Sequence, residues 1–278
     1  DTGASVVVIV NSGSATVAQA NSIAAQTSGV VTATISQGDL ATLGSLSGTG
    51  NAYTVTLSDT TAAASALTTL DNTTTVAVNA GSVATLTGTA AEVTAAYSAN
   101  TAGSISGLGD EAVTLSDTTL AATALNTVNS YTVGVVNAGT VTTLTGLLAD
   151  VNSAYAANAA NTINGLGDEA VTITNGTGTL LATDLSTAGN ATTGTVTVSN
   201  TQTVSGTVAE VTAALVTATT KVVMGTASTA SISDLATAAQ GAPIATTANV
   251  TAHFSLGIVD SLSNLASGGS ISSNLASI

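Results

Sequence analysis

The chain repeats itself at a fixed interval, and that interval constrains it more than any single motif. Val55-Thr-Leu-Ser-Asp-Thr60 returns as Val113-Thr-Leu-Ser-Asp-Thr118, 58 residues later. Val78-Asn-Ala-Gly81 returns as Val136-Asn-Ala-Gly139, and Thr85-Leu-Thr-Gly88 as Thr143-Leu-Thr-Gly146. Gly107-Leu-Gly-Asp-Glu111 returns as Gly165-Leu-Gly-Asp-Glu169, and Tyr97 as Tyr155, in the same register. A third copy begins at Ala170-Val-Thr-Ile173, gains two residues near Asn175-Gly-Thr-Gly178, and runs on to about residue 220. A repeat unit of this kind cannot bury its apolar face alone and is completed by its neighbours.

Inside each unit, short β-type runs alternate with short Ala/Leu runs. Val113-Thr-Leu115, Gly134-Val-Val-Asn137 and Val141-Thr-Thr-Leu144 read as strands. Leu148, Val151 and Tyr155 fall at i, i+3 and i+7, one face of a helix. The rhythm predicts a β-rich repeat solenoid, with short strands alternating with short helical turns at about three turns per 58-residue repeat. Outward Thr, Ser and Asn would form hydrogen-bonded ladders. A β-sandwich is the competing reading; the helical stretches between strands and the scarcity of tight hairpin turns count against it. The predicted organisation is an N-terminal cap or assembly segment (1–52), a repeat solenoid (53–220) and a C-terminal cap or assembly segment (221–278). One continuous stack is the alternative, because the flanks carry the same strand-then-aspartate pattern.

Composition narrows the chemistry. The 278 residues hold 15 acids, one lysine (Lys221), no arginine, one histidine (His253) and no cysteine, for a net charge of -14. Only 6% of residues are charged, against about 25% in an ordinary soluble domain. Nucleic-acid binding needs a basic patch, which one lysine cannot make. Disulfides and cysteine-based metal centres are excluded. The run Val6–Val10 is far shorter than the roughly 20 apolar residues of a membrane span. The chain starts at Asp1 with no basic leader, so it reads as a mature or excised piece. A hydrophobic share of 44% argues against disorder.

The quoted units resemble repeats in large secreted or surface proteins of marine cyanobacteria and some of their phages, loosely described as RTX-like or haemolysin-like. The resemblance covers about 53–220. Gly257-Ile-Val-Asp-Ser-Leu-Ser-Asn-Leu265 is similar to a shorter repeat of such proteins, Val-x-Asp-Thr-x-x-Asn-Leu. The resemblance implies an extracellular or cell-surface structural or adhesive role, and no catalytic residues. Members of that family are often very long, whereas this chain holds only a few units, which suggests a dedicated small subunit.

Few residues carry candidate chemistry. Asp110, Glu111, Asp168 and Glu169 pair carboxylates beside Gly-rich corners and could offer oxygens to calcium, which takes about six to eight; the alternative is a role in turns or helix caps. The tandem nine-residue pattern of true RTX sites is missing. Asp59, Asp117, Asp234 and Asp260 follow β-type runs, as a metal ladder or, the simpler reading, as caps of the helical turns that follow them. Tyr97 and Tyr155 form either an exposed row for a surface glycan or the apolar end of a helical face. His253 and Lys221 lack the partners that catalysis requires and read as structural. There is no Gly-x-Ser-x-Gly elbow and no phosphate-binding loop. The expectation is a non-enzymatic extracellular protein that self-assembles into a filament or surface layer, its partner being itself. A calcium-dependent adhesin or phage-fibre module is the alternative. The strand Val6–Val10 could complete a neighbour by strand addition.

Overall fold

A computed structural model describes residues 5–267 and 269–278; Asp1, at the head of the expected N-terminal segment, lies outside them. Short strands alternate with helices along the chain, and helices make up about a third of it. Almost every strand pair is parallel; the exception among the described residues is the small hairpin Ala266–Ser267 with Ser270–Ile271. The molecule is therefore an α/β protein with several parallel sheets, and the expectation of a β-rich solenoid with three short turns per repeat is corrected.

The correction has a geometric cause. Parallel strands cannot be joined by a tight turn; they need a crossover of about a dozen residues or more. The strands here pair Ala62 with Leu86 and Leu86 with Val113. The chain thus returns after 24 and then 27 residues, and the Ala-rich stretches between become helices Ala64–Asp71 and Ala90–Ala102. A further 7 residues lead from Val113 to Leu120, the counterpart of Ala62 in the next copy. Two unequal strand–helix crossovers and one short strand-to-strand link make up the 58-residue period.

The chain divides into two compact units. The first runs to Asp117 and includes Thr127–Thr140 and Asn161–Asn164; the second comprises Thr118–Asn126, Val141–Ala160 and Gly165–Ile278. Residues 53–220 are thereby shared between them.

In the first unit, Val8–Ile9, Val31–Thr34 and Ala52–Thr54 form a three-stranded parallel sheet in that order. A five-stranded sheet follows, in the order Ile163–Asn164, Val136–Asn137, Ala112–Leu115, Thr85–Gly88 and Thr61–Ala63. Its inner row, Leu86, Val113, Val136 and Ile163, is fully buried. Helices Ala64–Asp71 and Ala90–Ala102 pack together, burying Leu67, Leu70, Val93 and Ala96. Each buried leucine contributes about 1.5–3 kcal/mol, so a core almost free of large aromatics still holds.

The second unit repeats the scheme one period on. Its five-stranded sheet runs Val222–Val223, Val196–Val198, Ala170–Ile173, Thr143–Gly146 and Thr119–Ala121. A four-stranded sheet runs Gly178–Leu181, Gln202–Gly206, Ser228–Ile232 and Val250–Phe254. Helix Leu148–Ala159 packs on Ala182–Ala191, that helix on Val208–Leu215, and Val208–Leu215 on Ala238–Ala245. The outward threonines act in two ways. Thr203 and Thr229 share a hydroxyl–hydroxyl hydrogen bond of 2.9 Å. Thr87 and Thr145 instead donate to the carbonyls of Ala62 and Leu120 on the preceding strand.

Candidate functional site

The Gly-Leu-Gly-Asp-Glu corners are built by glycine conformation. Gly107 and Gly109 sit at φ +89° and +140°, and Gly165 and Gly167 at +85° and +136°, the region L side chains avoid. Asn100 holds the first corner through both backbone groups of Leu108, and Asn158 does the same for Leu166. The turn separates the two acids that sequence places side by side. Asp110 and Asp168 are exposed, whereas Glu111 and Glu169 are each only 1% exposed.

Each buried glutamate turns back on its own corner. Glu111 Oε2 accepts the N–H groups of Gly109 (2.8 Å) and Asp110 (3.2 Å). Glu169 Oε2 accepts those of Gly167 (2.8 Å) and Asp168 (3.3 Å). These charge-assisted bonds offset part of the cost of burying a carboxylate. The second oxygen distinguishes the copies. Tyr155 donates its hydroxyl to Glu169 Oε1. In the other copy, Glu111 Oε1 and the Tyr97 hydroxyl are buried without hydrogen-bond partners. Burial pushes both tyrosine hydroxyls well above their ordinary range, and the facing glutamate adds to the shift.

Tyr97 and Tyr155 are therefore interior groups, 1% and 6% exposed, and offer no glycan-stacking row. Tyr97 stacks on Tyr131 with ring centroids 5.2 Å apart. Among the described residues, no group of three or more His, Cys, Asp or Glu gathers to hold a metal. In the first unit Asp110 and Glu111 belong to no such group, nor do Asp168 and Glu169 in the second.

A threonine brace, absent from the sequence expectations above, secures the same corners. Thr132 donates to the Glu111 carbonyl at 2.7 Å and accepts from the Gly134 N–H at 2.9 Å. Thr192 bridges Glu169 and Gly194 identically. Thr27 bridges Val6 and Gly29, and Thr74 bridges Tyr53 and Val76. The recurring Thr-x-Gly at 27–29, 132–134 and 192–194 is the signal that could have revealed it.

The turn aspartates do cap helices, but not the ones that follow them. Asp59 accepts the N–H of Leu40 (2.6 Å), Asp117 that of Ala90 (2.7 Å), Asp234 that of Val208 (2.7 Å) and Asp260 that of Ala238 (3.2 Å). Asn175 serves Leu148 in the same way. Each reaches back 19 to 27 residues to the first turn of the preceding helix. The helix's own start supplies the other acceptors: Thr89 with Glu92, and Thr207 with Glu210, form capping boxes. Each such start thus satisfies its free N–H groups from two places in the chain. His253 lies exposed on Val250–Phe254, and exposed Lys221 donates to the Thr193 carbonyl.

What remains open is a strand edge. Val8 and Val10 donate to Val30 and Thr32, so the amide groups of Val7 and Ile9 point to the other side, where no described strand pairs. Val6, Val7 and Ile9 are 55%, 61% and 63% exposed. The paired stretch is Val8–Ile9, shorter than the expected Val6–Val10. Beside it, Val10, Ala18, Gln19, Ser22 and Ile23 line a groove of about 480 Å³ on helix Val17–Ala24. No described helix is long and apolar enough to cross a membrane. The chain matches no family model, no curated protein and no solved structure.

Proposed function

We propose that this chain is an extracellular structural protein that self-assembles into a filament or surface layer. The observation that carries this reading is the unpaired, apolar edge of the first strand. An exposed parallel edge with β-branched residues can take a further strand; proteins that stay monomeric blunt such edges with charge, proline or a very short strand, and of these three this edge has only the last, Val8–Ile9 being two residues long. Here residues 5–38 contain no ionisable side chain and no proline. The other described features serve cohesion: the glutamates stitch corners, the aspartates cap helices and the tyrosines fill the core. The resemblance of the repeats to secreted and surface proteins supports an extracellular setting, and a single Lys or Arg leaves trypsin one cleavage point. Negative-stain microscopy of the purified chain tests the proposal. Ordered polymers are the expected result; uniform single particles at high concentration would contradict it.

A further inference from the structure

The open edge at the start of the chain has a counterpart near its end. Val250–Phe254 is the last strand of its sheet, and Ser255 donates back to Ile232, as does Ser228 forward to Asn249. By the alternation of a parallel ladder, the amide groups of Ala252 and Phe254 point to the side where no described strand pairs. The residues that follow carry exposed apolar surface: Leu256 is 62% exposed, Val259 58% and Leu262 80%.

The first helix shows what its groove should receive. Thr16-Val-Ala-Gln-Ala-Asn-Ser-Ile-Ala24 and Thr237-Ala-Ala-Gln-Gly-Ala-Pro-Ile-Ala245 share the Thr/Gln capping box and the Ile-Ala ending. Ala239, Gln240 and Pro243 of the later helix line a groove together with Val208, Ala209 and Thr212 of the helix before it. Their counterparts Ala18, Gln19 and Ser22 line a groove with no preceding helix to share it. The corresponding face of the first helix is thus apolar and shares its groove with no other described helix.

Charge permits the two ends to meet. Fourteen of the 15 acids lie between Asp39 and Asp260; the other is Asp1. Residues 5–38 and 261–278 carry no ionisable side chain. The strand Val250–Phe254 itself holds His253 and no acid, so two copies of a chain with net charge -14 meet there without opposing carboxylates.

We infer that the partner of the N-terminal edge is the C-terminal edge of a second copy, with strand Val250–Phe254 of one chain pairing in parallel beside Val8–Ile9 of the next. This rests on the self-assembly reading and assigns its two surfaces. The contact is heterologous: copies joined this way form an open chain, or a ring where the rotation between copies closes.

Complementary variants test it. Val7→Lys with Ile9→Lys blocks the first edge, and Leu256→Lys with Leu262→Lys blocks the second; all four positions are exposed, so the fold tolerates the charge. Ala252→Pro is an independent block of the second edge, removing an outward N–H only. Circular dichroism verifies that each variant is folded. Each alone should lose polymerisation and sediment as the 26.3 kDa monomer. An equimolar mixture of a first-edge and a second-edge variant should form a 1:1 complex of twice that mass and nothing larger. Polymers that persist in either variant, or monomeric variants that fail to pair when mixed, would overturn the end-to-end contact while leaving self-assembly standing. A monomeric parent chain at every concentration would overturn both.

Discussion

Replacing Gly134 with alanine tests how closely the strands of the first unit approach at the threonine brace. A Cβ at Gly134 would stand 2.3 Å from the Glu111 carbonyl oxygen and 2.6 Å from its carbon. Real Cβ contacts do not fall below 3.0 Å, so the two segments must part by at least 0.7 Å, the difference between those values. The obstructing atoms are backbone, and no side chain can swing aside. Overpacking of this kind costs about 1–3 kcal/mol. The stiffer unfolded chain returns about 0.4–1 kcal/mol. A net loss of about 1–2 kcal/mol lowers Tm by roughly 2–8 °C in a chain of this size. Gly139→Ala is the matched control. Its nearest atom is the Asn137 side-chain oxygen at 3.1 Å, and its φ is not positive. Its stability should stay within about 0.5 kcal/mol of the parent's. Differential scanning calorimetry of both variants decides the matter, and equal Tm values would refute the close approach.

Three further outcomes follow from the same contacts. Asp117→Ala removes the acceptor for the Ala90 N–H and should cost about 1 kcal/mol in denaturant unfolding, whereas exposed Asp110→Ala should change stability by less than about 0.5 kcal/mol. Tyr155→Phe strips the buried Glu169 oxygen of its donor and should cost about 1–3 kcal/mol; Tyr97→Phe deletes a hydroxyl that faces Glu111 without closing a well-formed hydrogen bond and should cost less. The carboxyl groups of Glu92, Asp39 and Asp260 are held below their ordinary values of 4.5 and 3.8, by hydrogen bonds from Thr89, from Thr42 and from Asn264 with Ser261. The unfolded chain therefore binds more protons across that window. Their contribution is present above the ordinary values and disappears as pH falls through the lower folded ones, so Tm should be flat from about pH 7 to 5 and drop below about pH 4. A main loss between pH 5 and 7 would contradict that assignment.

The period was legible in the chain because Val-Asn-Ala-Gly and Gly-Leu-Gly-Asp-Glu return in strict register. Its internal division was not. Strands such as Val136–Asn137 and Ile163–Asn164 are two residues long, too short to show alternation. Helices such as Ala90–Ala102 are rich in alanine, which occupies inner and outer faces alike and weakens the 3.6-residue signal. The link from Val113 to Leu120 reads as one more turn, although it joins consecutive strands of two different sheets without a helix. Local rules likewise place Asp117 at the start of the next helix. The crossover instead sets it over Ala90, a contact across 27 residues that no local pattern carries. The division of labour between Asp110 and Glu111 depends on the left-handed glycines and on Thr132, 21 residues on. The open edge at Val7 and Ile9 was legible as an apolar run, but its unpaired side appears only once Val31–Thr34 is seen to occupy the other.

Sedimentation of the unmodified chain across a wide concentration range tests self-assembly most directly. The contacts proposed are aliphatic and backbone in character, and neither Val6–Val10 nor Val250–Phe254 holds an acid, a lysine or an arginine, so salt should not dissolve them. The mass should rise with concentration in steps of 26.3 kDa, in low and high salt alike. A single 26.3 kDa species throughout would contradict the account.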